Sequence, residues 1–333
     1  MARFAELLRT RTTDWFFARL EGEVQGAEAT GRHVEPEAAY LSVILRSMRV
    51  THSRKGLSRF YAAVTSCCSL PRRGGAPAQF FVLTTPPSLK GIEPKHADRI
   101  LTLNKRLLGP VPYRGGDLDV QVGLLSVKAA ELAGPYLELL ENMASVSGVS
   151  LVGPALAFAE PLQRGLDLLV GAADPVELEI GLSATFPTPE TGVFCLIGTT
   201  KDAIDVSRLR VDGTFQLLID DVAIVDHPYL VWSVEATPWR DDWTQIPAVR
   251  EEHEDLVREV ESGDVNRVRE ALASFRRTAV TSADLLAADG ARLADMVSEE
   301  VKLALGTIGQ SRTRPGLRPL AAVNLYRERW PSA

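Results

Sequence analysis

Apolar Leu118, Val120, Val122 and Leu124 alternate with Asp119, Gln121 and Gly123. A period of two is that of a strand with one buried face. Beyond Lys128 the apolar positions fall at Leu132, Tyr136, Leu139, Leu140 and Met143, which is helical spacing. This change of period, within Gly109 to Met143, is the clearest in the chain, and the remaining elements are read around it.

Before it, Ala5 to Leu20 has helical spacing through Leu7, Leu8, Trp15, Phe16 and Leu20, and Gly22 to Pro36 reads as a mobile polar link. Tyr40 to Val50 and Arg59 to Leu70 are β-prone runs around a basic, Gly-containing loop, so a hairpin is expected. Pro71 to Pro77 is a loop, Gln79 to Thr84 a third strand and His96 to Leu108 a short helix. After the central strand, helix is expected over Ala129 to Met143 and Pro161 to Val170. Strands follow at Val176 to Phe186, Val193 to Gly198, Thr214 to Ile219 and Tyr229 to Ala236. The last part is helical: Ile246 to Glu261, then Val265 to Thr278 capped by Asp264, then Asp284 to Leu305 capped by Thr281 or Ser282.

The expected fold is therefore α+β: an antiparallel β-sandwich of about seven to nine strands with a helical insertion and a C-terminal helical region. In domain terms, residues 1–36 are an N-terminal helix and linker, and residues 37–245 are the sandwich with its helical insertion near 128–170. Residues 246–306 are a three-helix region and 307–333 an extended tail.

Composition changes this picture little, since 45% hydrophobic and 24% charged residues are globular values. Three cysteines, Cys67, Cys68 and Cys195, make no disulfide framework and suggest a reducing, cytoplasmic setting. Charged residues interrupt Met1 to Leu20, so no secretory signal is read there. Arg outnumbers Lys and Ala is abundant, a GC-rich bacterial bias.

Charge distribution says more than the net of −6. Arg46 to Gly116 holds thirteen basic residues and two acids, whereas Asp117 to Ser262 holds twenty-six acids and eight bases. Two readings follow: the halves face each other inside the fold or an oligomer, or a basic face meets an acidic partner or anionic membrane. Arg54, Lys55, Arg72 and Arg73 are the surface candidates on the basic side, with Arg46, Arg49 and Arg59 nearby. Few aromatics accompany them, which argues against sequence-specific nucleic-acid binding.

Among chemistry-bearing residues, Asp117, Asp119, Asp220, Asp221 and Asp226 lie where strands begin or end, and Asp241 and Asp242 follow in WRDDW. Loop carboxylates converging at one end of a sandwich could bind Ca²⁺, which takes about six to eight oxygens. Asp117, Asp119, Asp220 and Asp221 with Asp241 and Asp242 could alternatively serve a metal-dependent hydrolase. Asp is equally a turn former. His227 beside Asp226 invites a general-base role, but no nucleophile motif, P-loop, dinucleotide fingerprint or metal-ligand histidine spacing accompanies it. Trp232 is expected in the core, while Trp239 and Trp243 either pin the C-terminal helices or contact a partner. Asn142 to Ala159 carries no charge over eighteen residues, near the lower limit of about 17 to 25 needed to cross a bilayer. Gly148, Gly153 and Pro154 favour a buried helical hairpin over insertion.

By elimination, the expected function is a non-enzymatic binding or assembly module. It would be a bacterial cytoplasmic adaptor or structural subunit that self-assembles, docks a protein or attaches peripherally to an anionic membrane. No cofactor is called for, Ca²⁺ apart. The alternatives are the metal-dependent hydrolase and a membrane-inserting effector built on residues 142–159.

Overall fold

The computed structural model describes residues 15–21, 31–50, 54–55, 58–72, 75–84, 101–128, 176–240, 242–306 and 316–323. Of Arg54, Lys55, Arg72 and Trp243 the backbone alone is described. The protein is α+β, with antiparallel sheets and helices in the C-terminal region. Its strands are β1 (Phe16–Arg19), β2 (Tyr40–Arg49), β3 (Arg54–Lys55), β4 (Ser58–Arg72), β5 (Gly75–Thr84), β6 (Leu101–Pro112) and β7 (Leu118–Lys128). There follow β8 (Val176–Phe186), β9 (Gly192–Ile197), β10 (Leu209–Val211), β11 (Leu217–Ile219), β12 (Val222–Ala223) and β13 (Tyr229–Thr237). The helices are α1 (Pro247–Ser262), α2 (Val265–Thr281) and α3 (Ala287–Gly306). The chain divides into two compact units: Met1–Pro36, Leu41–Pro110 and Arg114–Ala236 form the first, and Glu37–Tyr40, Val111–Tyr113 and Thr237–Ala333 the second.

Three sheets make the first unit. One five-stranded sheet runs β1-β9-β13-β2-β6, a second joins β3, β4, β5, β7 and β8, and the third is the small sheet β10-β11-β12. All six residues of β9 are buried, and so are the first six of β13. They do not alternate because both faces of their sheet are covered. Phe16, Ala18, Val193, Cys195, Ile197, Tyr229 and Val231 on one face share a core with Leu209, Phe215, Leu217 and Ile224 of the small-sheet region. On the other face Phe17, Phe194 and Trp232 stack with ring centroids 5.6 to 6.1 Å apart. There Phe186 of β8 meets Phe17 and Phe194 edge-on at 6.1 and 5.5 Å. The first sheet is thus a middle layer. Trp232 is core, as its place in an apolar run implies, and β7 has the alternation read from its sequence, with Val120 buried and Asp119 exposed.

The second unit is built on α1, α2 and α3. Gly263, at φ 77°, ends α1, and the Asp264 carboxylate then accepts from the backbone of Asn266 and Arg267 to start α2. Val249, Leu256, Val268, Phe275, Leu293 and Val297 are fully buried among these helices, each contributing about 1.5 to 3 kcal/mol.

Several local expectations are corrected. Phe16–Arg19 pairs with β9 as a strand instead of closing a helix, because cross-strand pairing of aromatics outweighs a weak helical period. Leu101–Pro112 is likewise a strand, not the end of a short helix, since its pairing with β2 overrides the helix preference of Leu, Lys and Arg. β2 and β4 do not form a hairpin: they lie in different sheets, and β4 pairs instead with β3, β5 and β7. Residues 31–34 of the supposed polar link are held by backbone bonds to Pro189 and Thr191. Thr281 ends α2 by donating to the Arg277 carbonyl and does not cap α3, which begins only at Ala287. Of the helical insertion expected near 128–170, Lys128 is the last residue of β7 and residues 129–170 lie outside the described residues.

Candidate functional site

The acidic candidates are placed by turn chemistry. Ile219 and Val222 face each other in the β11–β12 pair, leaving Asp220 and Asp221 as a two-residue turn at φ 47° and 63°. Two consecutive positive φ values define the turn that matches strand twist, and Asp tolerates that conformation through its short side chain. The spacing LLI-DD-VAI was the available signal. Arg208 grips Asp220 with two guanidinium nitrogens, Nε at 2.9 Å and Nη2 closer. Val222 and Val225 are 69% and 49% exposed, and Asp221 and Asp226 are exposed beside them.

Asp117 and Asp119 sit exposed at the start of β7, where Asp119 accepts from Thr185 Oγ1 at 2.6 Å. Asp242 accepts from Arg240 Nε at 2.6 Å, and Asp241 lies outside the described residues. Among the described residues no three His, Cys, Asp or Glu are grouped so as to hold a metal ion. Of the five candidates Asp117, Asp119, Asp220, Asp221 and Asp226, Asp119 is engaged by Thr185 and Asp220 by Arg208. His227 is half-buried in the loop that leads to β13.

A polar centre that sequence reading did not find lies around Arg46. Its Nε donates to Ser233 Oγ at 2.9 Å, its Nη1 to Asn104 Oδ1 at 2.9 Å and its Nη2 to Glu235 Oε1. Ser233 Oγ also donates to Glu235 Oε1 at 2.8 Å, and the guanidinium lies 4.7 Å from the Phe215 ring centre. Phe215 reaches that place because Asp212 shapes the loop before β11. Its carboxylate accepts from Thr214 N, Thr214 Oγ1 and Gln216 N at 2.7 to 2.9 Å. Burial raises the Asp212 pKa, but these hydrogen bonds outweigh it and hold the carboxyl below its ordinary value. Asp205 is held low by hydrogen bonds from the Ser207 side chain and backbone. One member of the basic stretch thus meets one of the acidic stretch inside the fold, while Arg49 donates to the Val225 carbonyl at 3.2 Å.

The other basic candidates are partly corrected. Arg54 and Lys55 form β3 rather than a loop, with Arg54 opposite Arg59 and Lys55 opposite Ser58. Arg72 ends β4 opposite Gly75, and Arg73 lies outside the described residues. Trp239 is 36% exposed, and Trp243 opens the 3₁₀ turn before α1. Residues 142–159 lie outside the described residues, and among those described no helix is long and apolar enough to cross a membrane.

The cysteines behave as small apolar residues. All three are free and buried, and burial pushes the thiols of Cys67 and Cys195 up to about 12 and that of Cys68 higher still. Tyr229 is raised to about 12, also by burial. In the second unit Tyr40 donates to Asp289 Oδ2 at 2.6 Å and accepts from Leu286 N at 3.0 Å. The buried Arg240 donates to the Asp284 carbonyl at 2.7 Å and lies 5.9 Å from the Tyr40 ring centre. Partners this far apart in sequence leave no local signature. No family model matches the chain, nor does any curated protein or solved structure.

Proposed function

We propose that the protein is a non-enzymatic assembly module whose copies join through complementary charge. One observation carries this reading. The β11–β12 hairpin exposes Val222 on β12 and Val225 two residues beyond it, with Asp221 and Asp226 exposed alongside, and β12 is paired along one side only among the described residues. A strand edge with exposed apolar side chains invites another chain, and a carboxylate rim selects a basic one.

The occupant that fits is the basic β3–β4 ribbon of a second copy. That ribbon brings Arg54, Lys55 and Arg59 together in its backbone register, so the sequence there is cationic where the hairpin is anionic. Joining one patch to a different patch is a head-to-tail contact, which builds rings or filaments. The experiment is light scattering over a concentration and salt series. The expected mass rises with protein concentration at low salt and falls toward the monomer as screening increases. The double variant Val222→Lys/Val225→Lys should stay monomeric throughout. A wild-type monomer at every concentration and salt overturns the reading.

A further inference from the structure

We propose that the three-helix unit is acid-labile through His253, whose protonation loosens α1 from α2. His253 is a helical residue with only 3% of its surface exposed, and its ring meets that of Phe275 edge-on at 5.8 Å and 66°. Its Nε2 is buried and has no hydrogen-bond partner among the described residues. A neutral imidazole tolerates such a place, whereas an imidazolium needs both ring N–H groups solvated or paired.

The charged groups facing the ring are Glu254, from its own helix, and Glu300, from α3. Each already has a cation: Arg250 lies 3.8 Å from Glu254, and Arg318 donates to Glu300 through Nε at 2.7 Å and through Nη2. They therefore offset the cost of an imidazolium only in part. Burial outweighs them and depresses the His253 pKa below its ordinary value. A base depressed in the folded state binds its proton more readily once the helices open. Stability is thus fully present above the ordinary histidine value, about 6.5, and declines as pH falls below it toward the folded pKa.

Hydrogen exchange of the α1 and α2 amides between pH 7.5 and 5.5, corrected for intrinsic rates, tests this on the full chain. The opening constant of wild type should grow as pH falls, by up to about tenfold per pH unit for one proton. His253→Phe, with no group to titrate, should be flat over the same range. Should the Phe variant not fold, His253→Met serves the same comparison. A wild-type profile that is flat, or a variant profile as steep as wild type, overturns the proposal. So does a His253 ring-proton titration by NMR that places its midpoint at or above the ordinary value.

Discussion

Gly290 sits inside α3, where the helix scale alone favours its replacement: Gly→Ala in an exposed helix interior gains about 1 kcal/mol. Here the sign reverses. A Cβ at Gly290 would stand 2.4 Å from the Ala279 carbonyl oxygen, 3.2 Å from its carbon and 3.3 Å from Val280 Cα. All three atoms are backbone of α2, so no side-chain rotation removes the clash, and the two helices must separate. Overpacking of this kind costs about 1 to 3 kcal/mol, and rigid backbone neighbours put the cost at the upper end. Setting the gain in helix preference against it leaves Gly290→Ala destabilised by about 2 kcal/mol. Urea unfolding followed by far-ultraviolet circular dichroism reads this directly. With a slope of about 2 kcal/mol/M the midpoint falls by about 1 M. Gly306→Ala is the control, because among the described residues nothing lies within 4 Å of a Cβ built there. It should be neutral or slightly stabilising. A Gly290→Ala midpoint equal to or above wild type would refute the close approach of α2 and α3.

Glu235→Ala leaves Arg46, whose side chain is 10% exposed, without its carboxylate. It should lose about 3 kcal/mol in the same unfolding assay, and the double variant Arg46→Leu/Glu235→Leu should recover part of that. At the β11–β12 turn, Asp221→Gly should be tolerated and Asp221→Val should cost about 1 to 2 kcal/mol, since a β-branched residue resists positive φ. A larger loss for Gly than for Val would contradict the turn geometry. The buried thiols should react with a disulfide reagent at pH 8 only on denaturation, giving none rapidly in the native protein and three in guanidinium. Rapid native labelling would place a cysteine at the surface.

How far the chain can be read depends on whether the deciding interaction is local. The α+β class, the Asp264 cap, the Gly263 stop and the alternation of β7 all follow from near neighbours, and each was legible. Asp220 and Asp221 were legible as turn formers, whereas whether carboxylates from separate loops meet is a property of strands brought together from distant parts of the chain. Arg46 read as a surface cation, but it is committed to Glu235 across 189 positions. No pattern within a window of a dozen residues encodes that pairing.

Sequence by itself determined the strand and helix periods, the caps and the separation of basic from acidic stretches, since these are written in spacings shorter than one element. Tertiary structure alone decided that Phe16–Arg19 and Leu101–Pro112 are strands, that β2 and β4 belong to different sheets and that β9 and β13 lie buried on both faces. Hydrogen-bonded partners and covered faces come from residues far along the chain, and their combined energy outweighs the few tenths of a kcal/mol by which local preference separates helix from strand.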